Sequence, residues 1–112
     1  MNAHTDLVNV CVSYLTLSRI PAWINNTGAY KVDEDKKARK KSRYIRFGIV
    51  GSSDILGCLP PSGRILAVEC KTGRGKPTKV QLSFLQMVND AGGLGIVVYE
   101  LDELIAAIER TD

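Results

Sequence analysis

Apolar and polar positions follow two rhythms along the chain. Leu7, Val10, Cys11, Tyr14 and Leu15 fall at i, i+3, i+4, i+7 and i+8, which is one face of a helix. Thr5 or Asp6 is placed to cap it, the helix is expected to run to about residue 18, and Pro21 lies beyond its end. Residues 20–26 (IPAWINN) alternate loosely and predict a first strand, with Trp23 most simply a core residue or else an exposed ring able to stack on a base, followed by a polar turn or strand end at Asn25-Asn26-Thr27-Gly28. Residues 44–58 and 64–71 are rich in Ile, Val, Leu and aromatics and predict two strands, with Pro60-Pro61-Ser62-Gly63 supplying the turn between them. Thr78-x-x-Gln81 before a periodic run is a capping-box pattern. Val80, Phe84, Met87, Val88 and Ala91 mark the expected buried stripe of that helix, and Gly92-Gly93 its stop. Residues 94–99 (LGIVVY) read as a fully buried strand, and residues 101–110 as a last helix with Leu101, Leu104, Ile105 and Ile108 inward. The predicted class is α/β, a hairpin-fed mixed sheet flanked by helices in the order α-β-β-β-α-β-α.

The hairpin concentrates the chemistry. With its turn centred between Pro61 and Ser62, antiparallel pairing puts Asp54 directly opposite Glu69, with Cβ atoms about 4.5–5.5 Å apart. Strand alternation then gives Glu69 and Lys71 one face and Cys70 the other. Two carboxylates held so close repel unless something positive lies between them. Mg²⁺ commonly takes one or two carboxylates and keeps several waters, and such an ion polarises phosphoryl oxygens and activates water. Lys71 is placed to position that water or to stabilise phosphate charge. An ordinary hairpin with exposed charges is the competing reading. Against it, Val68-Glu69-Cys70 embeds a carboxylate in an apolar strand, where an unpaired charge is costly.

Composition narrows the rest. The 112 residues, 45% hydrophobic and 24% charged, predict one globular domain over 1–112. No apolar run approaches the ~20 residues of a membrane-spanning helix, and the N-terminus has no signal-peptide pattern. Cys11, Cys58 and Cys70 lack metal or redox spacing and are expected to be buried thiols in a reducing cytoplasm. A single histidine, His4, argues against zinc. The net charge is +3, yet residues 31–79 hold 13 Lys or Arg against 5 acids. That concentration suggests a polyanionic partner. Residues 33–43 (DEDKKARKKSR) are expected to form a mobile surface loop in which Lys36, Lys37, Arg39, Lys40, Lys41 and Arg43 grip phosphates. Arg74, Lys76 and Lys79 are further candidate nucleic-acid contacts. Gly73-x-Gly75-Lys76-Pro77-Thr78 does not satisfy the Walker A spacing, so no nucleotide site follows.

Asp54, fourteen intervening residues and Glu69-x-Lys71 resemble the PD-(D/E)XK nuclease signature. More narrowly, Gly51-x-x-Asp54-Ile-Leu-Gly57, Glu69-Cys-Lys71, Gly75, Gln81 and the following Gly-Gly-Leu-Gly resemble the virus-type replication-repair nuclease (VRR-NUC) branch, over most of the chain to about Tyr99. Ser53 stands where the superfamily has its proline. The resemblance implies a restriction-endonuclease-like core and a Mg²⁺- or Mn²⁺-dependent endonuclease that hydrolyses branched or flap DNA. It implies Asp54, Glu69 and the main-chain carbonyl of Cys70 as metal ligands, Lys71 assisting the attacking water, and Gln81 lining the centre as well as capping its helix. An acidic residue near the start of the first helix often helps hold the metal in such proteins. The matching position is His4 and the nearest carboxylate Asp6, which also suits a first-turn acid. Stand-alone relatives occur in phages, which implies the cytoplasm of a bacterial or phage-infected cell, and a homodimer would offer two sites to two strands. The alternative class is a non-catalytic nucleic-acid-binding module that keeps the fold. A sequence-specific restriction enzyme ranks last, because a small chain leaves little room for base readout.

Overall fold

β5 (Arg64–Cys70) is the strand on which the other layers are built. Leu66 to Cys70 are buried on both faces, so the strand needs a partner on each edge and a layer on each side. β4 (Ile55–Leu59) pairs antiparallel on one edge and β6 (Leu94–Val98) parallel on the other, while β1 (Ala22–Ile24) adds antiparallel to β4. The resulting mixed sheet has the order β1-β4-β5-β6. This computed structural model describes residues 2–26, 28–39 and 41–111, and the backbone alone of Ala29, Tyr30, Arg46 and Phe47.

Helices cover both faces of the sheet. α1 (Ala3–Leu17) and α3 (Leu101–Glu109) cover one, where Leu7, Val8, Cys11, Leu15 and Leu104 meet Ile55, Leu66, Val68 and Cys70. α2 (Lys79–Asp90) covers the other, setting Phe84, Leu85 and Val88 on Ala67. Leu15, Leu66 and Leu104 are completely buried, and truncating such a leucine to Ala costs about 2–5 kcal/mol. α2 starts with the predicted capping box and ends at Gly92, whose φ is +93°. No helix of the described residues is long and apolar enough to cross a membrane.

A second, two-stranded antiparallel sheet stands apart. β2 (Gly28–Val32) and β3 (Arg43–Phe47) pair with each other from Gly28↔Phe47 to Val32↔Arg43 and make no substantial contact with any other described helix or strand. The molecule measures 58 × 32 × 27 Å, with a radius of gyration of 16.8 Å. A compact chain of this length has about 13 Å. The ribbon is an arm.

Several expectations change. The element order is α-β-β-β-β-β-α-β-α, because residues 44–58 divide into β3 and β4 and β2 was not foreseen. Gly48 and Gly51, at φ +74° and +82°, turn the chain between β3 and β4. Residues 33–43 join two paired strands, with a turn at 35–39 in which Asp35 Oδ1 accepts the Ala38 N–H at 3.1 Å. Asn2, and neither Thr5 nor Asp6, caps α1: its side chain accepts the Thr5 N–H at 2.8 Å. Trp23 is 50% exposed because β1 is an edge strand. β6 is the other edge, so only Val98 of that strand is fully buried. Val10, Val80, Met87 and Ala91 face out, the core stripe of α2 running through Phe84, Leu85 and Val88. Cys58 is half-buried. Thr27 of the expected polar turn lies outside the described residues.

Candidate functional site

The register of β4 on β5 runs from Leu59↔Arg64 to Ile55↔Val68, the pairing the turn predicted. Continued one step, it sets Asp54 opposite Glu69 at the open end of the hairpin. Asp54 lies just beyond β4, and its Oδ2 accepts the Cys70 N–H at 2.8 Å, a bond a further strand residue would have taken. In an extended strand the N–H and C=O of one residue point to the same edge, so the Cys70 carbonyl faces the Asp54 side too. The Cys70 thiol lies on the opposite face. A hydrogen bond with Cys11 and burial push it well above a free thiol, so Cys70 can serve the site only through its backbone.

Glu69 shares the Asp54 face and is only 2% exposed. Burial pushes its carboxyl up from 4.5 to about 7, reinforced by the charge and hydrogen-bonding contact of Asp54 and partly offset by Lys71. Lys71 Nζ lies 3.4 Å from Glu69 Oε2, and the Lys71 N–H is fixed by Val98 O at 2.9 Å. One buried carboxylate, a second carboxylate and one ammonium therefore converge where the sheet ends.

Three further residues, His4, Asn25 and Ser53, hold this end. His4, in the first turn of α1, places Nε2 3.2 Å from Asp54 Oδ2, so the one histidine meets the site across the sheet end. Asp6 is exposed and lines no part of the cleft formed by His4, Thr5, Asn9, Asn25 and Asp54. Asn25 ties down the loop that carries Asp54. Its Nδ2 donates to Ser52 Oγ at 2.8 Å and to Ser53 O at 2.9 Å, and its backbone N–H to Asp54 O at 2.7 Å. Ser53 is buried, and its hydroxyl donates to Ile55 O at 2.9 Å. From the sequence, Asn25 belongs to a polar turn or strand end, in a segment that the family resemblance also implies to lie near the active-site cleft. The available signal was an Asn closing the first strand beside a Ser-Ser-Asp, and a clamp between them shows only once β1 pairs with β4.

Gly51 brings this loop against α2. Its φ of +82° disfavours any side chain, and a Cβ there would collide with Val80 in the first helical turn. Gln81 sits in that same turn, where Thr78 N–H donates to its Oε1 at 2.9 Å and its own N–H donates to Thr78 Oγ1 at 3.2 Å. The Gln81 side-chain carbonyl is thereby committed to the cap, and Gln81 is not among the residues that line the cleft beside α1.

The candidate phosphate-binding cations fall into two groups. Arg74, Lys76 and Lys79 are exposed on the segment from Lys71 into α2, where Tyr99 OH donates to Gly75 O at 2.8 Å. Lys36, Lys37, Arg39, Lys41 and Arg43 are exposed at the end of the arm, and Lys40 lies outside the described residues.

Among the described residues, no three His, Cys, Asp or Glu side chains form a ready-made metal cluster. The donors that do converge are two carboxylates and a main-chain carbonyl. Such a set suits a hard cation that keeps several waters, and the raised Glu69 carboxyl is the group a cation would relieve. No protein-family model matches the chain, and no curated protein is similar to it.

Proposed function

We propose that this protein is a Mg²⁺- or Mn²⁺-dependent DNA endonuclease with a restriction-endonuclease-like core. The observation that carries the reading is Glu69, a buried carboxylate set against Asp54 and 3.4 Å from Lys71. A carboxylate so placed is costly without a cation, and a structural ion pair would sit more cheaply on the surface. Asp54, Glu69 and the Cys70 carbonyl hold the metal. A bound divalent ion supplies a polarised phosphoryl oxygen and a water of lowered pKa. Lys71 orients the attacking water and balances charge on the phosphate, and the Gln81 amide nitrogen orients its other side. His4 fixes the Asp54 carboxylate through Oδ2. Arg74, Lys76 and Lys79 seat the neighbouring phosphates beside the free N–H groups of α2. The resemblance to VRR-NUC proteins extends the reading to branched or flap DNA and to a homodimer.

The test is cleavage of labelled duplex, flap and four-way-junction DNA with Mg²⁺, Mn²⁺ or EDTA, for wild type and Glu69→Ala. Metal-dependent cutting that the variant loses while still binding DNA is the expected result. A wild type that binds all three DNAs and cuts none with either metal sinks the catalytic reading. The second reading, a nucleic-acid-binding module without turnover, would then hold, and it draws on the exposed cations of the arm.

A further inference from the structure

We infer that the β2–β3 ribbon is a DNA-holding arm that enters the major groove of a B-form duplex beside the cleavage site, an inference that rests on the nuclease reading for its choice of partner. Charge is the first argument. Residues 28–47 carry eight Lys or Arg and three acids, whereas the rest of the chain carries seven Lys or Arg and nine acids. The arm thus holds all of the net positive charge, the rest of the chain carrying a small net negative charge despite Arg74, Lys76 and Lys79. One of the arm's acids is spent on architecture: Asp35 accepts the Ala38 N–H, and Arg39 N–H donates to Lys36 O at 3.3 Å with Arg39 at φ +55°. The turn so formed presents Lys36, Lys37 and Arg39 outward.

Shape is the second argument. Five paired residues at about 3.3 Å each, plus the turn, carry the basic tip roughly 25 Å from the base of the ribbon. That base adjoins Asn25 on one strand and the Ser52–Asp54 loop on the other. At about 3.4 Å per base pair the tip reaches some seven base pairs from the scissile phosphate. A two-stranded ribbon fits the ~12 Å major groove of B-DNA, whereas the deep, narrow major groove of A-form RNA excludes it. Lys31 pairs in register with Tyr44, which is 70% exposed, so one ribbon face offers a cation and an aromatic ring together. Tyr44 belongs to neither core cluster of the described residues.

Fluorescence anisotropy in EDTA tests the arm without turnover. The ligands are a 24-base-pair DNA duplex, an RNA duplex of the same sequence, the DNA single strand, and a six-base-pair DNA duplex. The proteins are wild type and a full-length variant with Lys36, Lys37, Arg39, Lys41 and Arg43 all changed to Ser. Wild type is expected to bind the long DNA duplex about tenfold or more tighter than the RNA or short DNA duplex, and the variant to lose that preference to within about twofold. The slope of log affinity against log salt should fall by roughly four. Equal wild-type affinity for DNA and RNA duplexes, tighter binding of the single strand, or a variant that keeps the DNA preference overturns the arm. Each readout is independent of cleavage. Cutting by wild type with an unchanged variant preference removes the arm and leaves the nuclease, and the converse pattern removes the nuclease and leaves the arm.

Discussion

Glu69→Gln should make the protein more stable at pH 8 and erase a pH dependence that wild type shows. The buried carboxyl titrates at about 7 in the folded chain and near 4.5 when unfolded, so between these values the folded state binds more protons. Stability is therefore fully present below about pH 4.5 and is lost as pH rises through about 7. Each pKa unit corresponds to about 1.4 kcal/mol, so the metal-free wild type should lose about 3 kcal/mol between pH 5 and pH 8. Gln has nearly the same shape and no proton to lose, so the variant should match wild type at pH 5 and exceed it by about 3 kcal/mol at pH 8. Urea unfolding in EDTA at several pH values measures this. With a slope of about 1.5 kcal/mol/M, the wild-type midpoint should fall by roughly 2 M across the range. Saturating Mg²⁺ or Mn²⁺ at pH 8 should recover about 3 kcal/mol of wild-type stability at a hundredfold excess over its dissociation constant, and none in the variant. If the two proteins lose stability in parallel from pH 5 to pH 8, the buried-carboxylate argument fails at its root.

Two positioning contacts make further predictions. Asn25→Ala removes two side-chain hydrogen bonds that hold Ser52 and Ser53, and should cost about 1–3 kcal/mol. It should also weaken Mn²⁺ binding by calorimetry, and unchanged affinity would reduce Asn25 to a purely structural role. Gly51→Ala combines an unfavourable positive φ with the collision against Val80, and thermal unfolding should show a loss of about 2–4 kcal/mol. Adding Val80→Ala should return the steric part alone, and a double variant no better than the single would mean the backbone angle accounts for the whole loss.

What the sequence revealed of this molecule depended on how local the determining interactions were. The β4–β5 pairing was legible to the residue, because a Pro-Pro-Ser-Gly turn and apolar strands on both sides fix the register with no help from the rest of the fold. The face shared by Asp54, Glu69 and Lys71 followed from that register. The arm was hidden, since GAYKV and RYIRF are short strands separated by a charged stretch, and none of their described side chains belongs to the core. Edge positions were hidden for a different reason. LGIVVY has the composition of a central strand, and nothing local says that its outer edge lacks a partner among the described residues. Trp23 failed as a core residue on the same ground. His4 and Asn25 act on residues far along the chain (|i−j| is 50 for the His4–Asp54 contact), so only the assembled sheet brings them to Asp54.

The hairpin also separates what links its two carboxylates from what spaces them. Covalently, Asp54 and Glu69 are joined by fourteen residues that run out to Gly63 and back. Their separation, however, is set by the gap between adjacent strands, so the connecting peptide is a tether and not a ruler. Pro61 and Ser62 lie at the end of the hairpin remote from the site, both exposed. Chain ends relocated to that point, or a foreign sequence spliced in there, would leave the spacing of the two carboxylates to the ladder that already defines it.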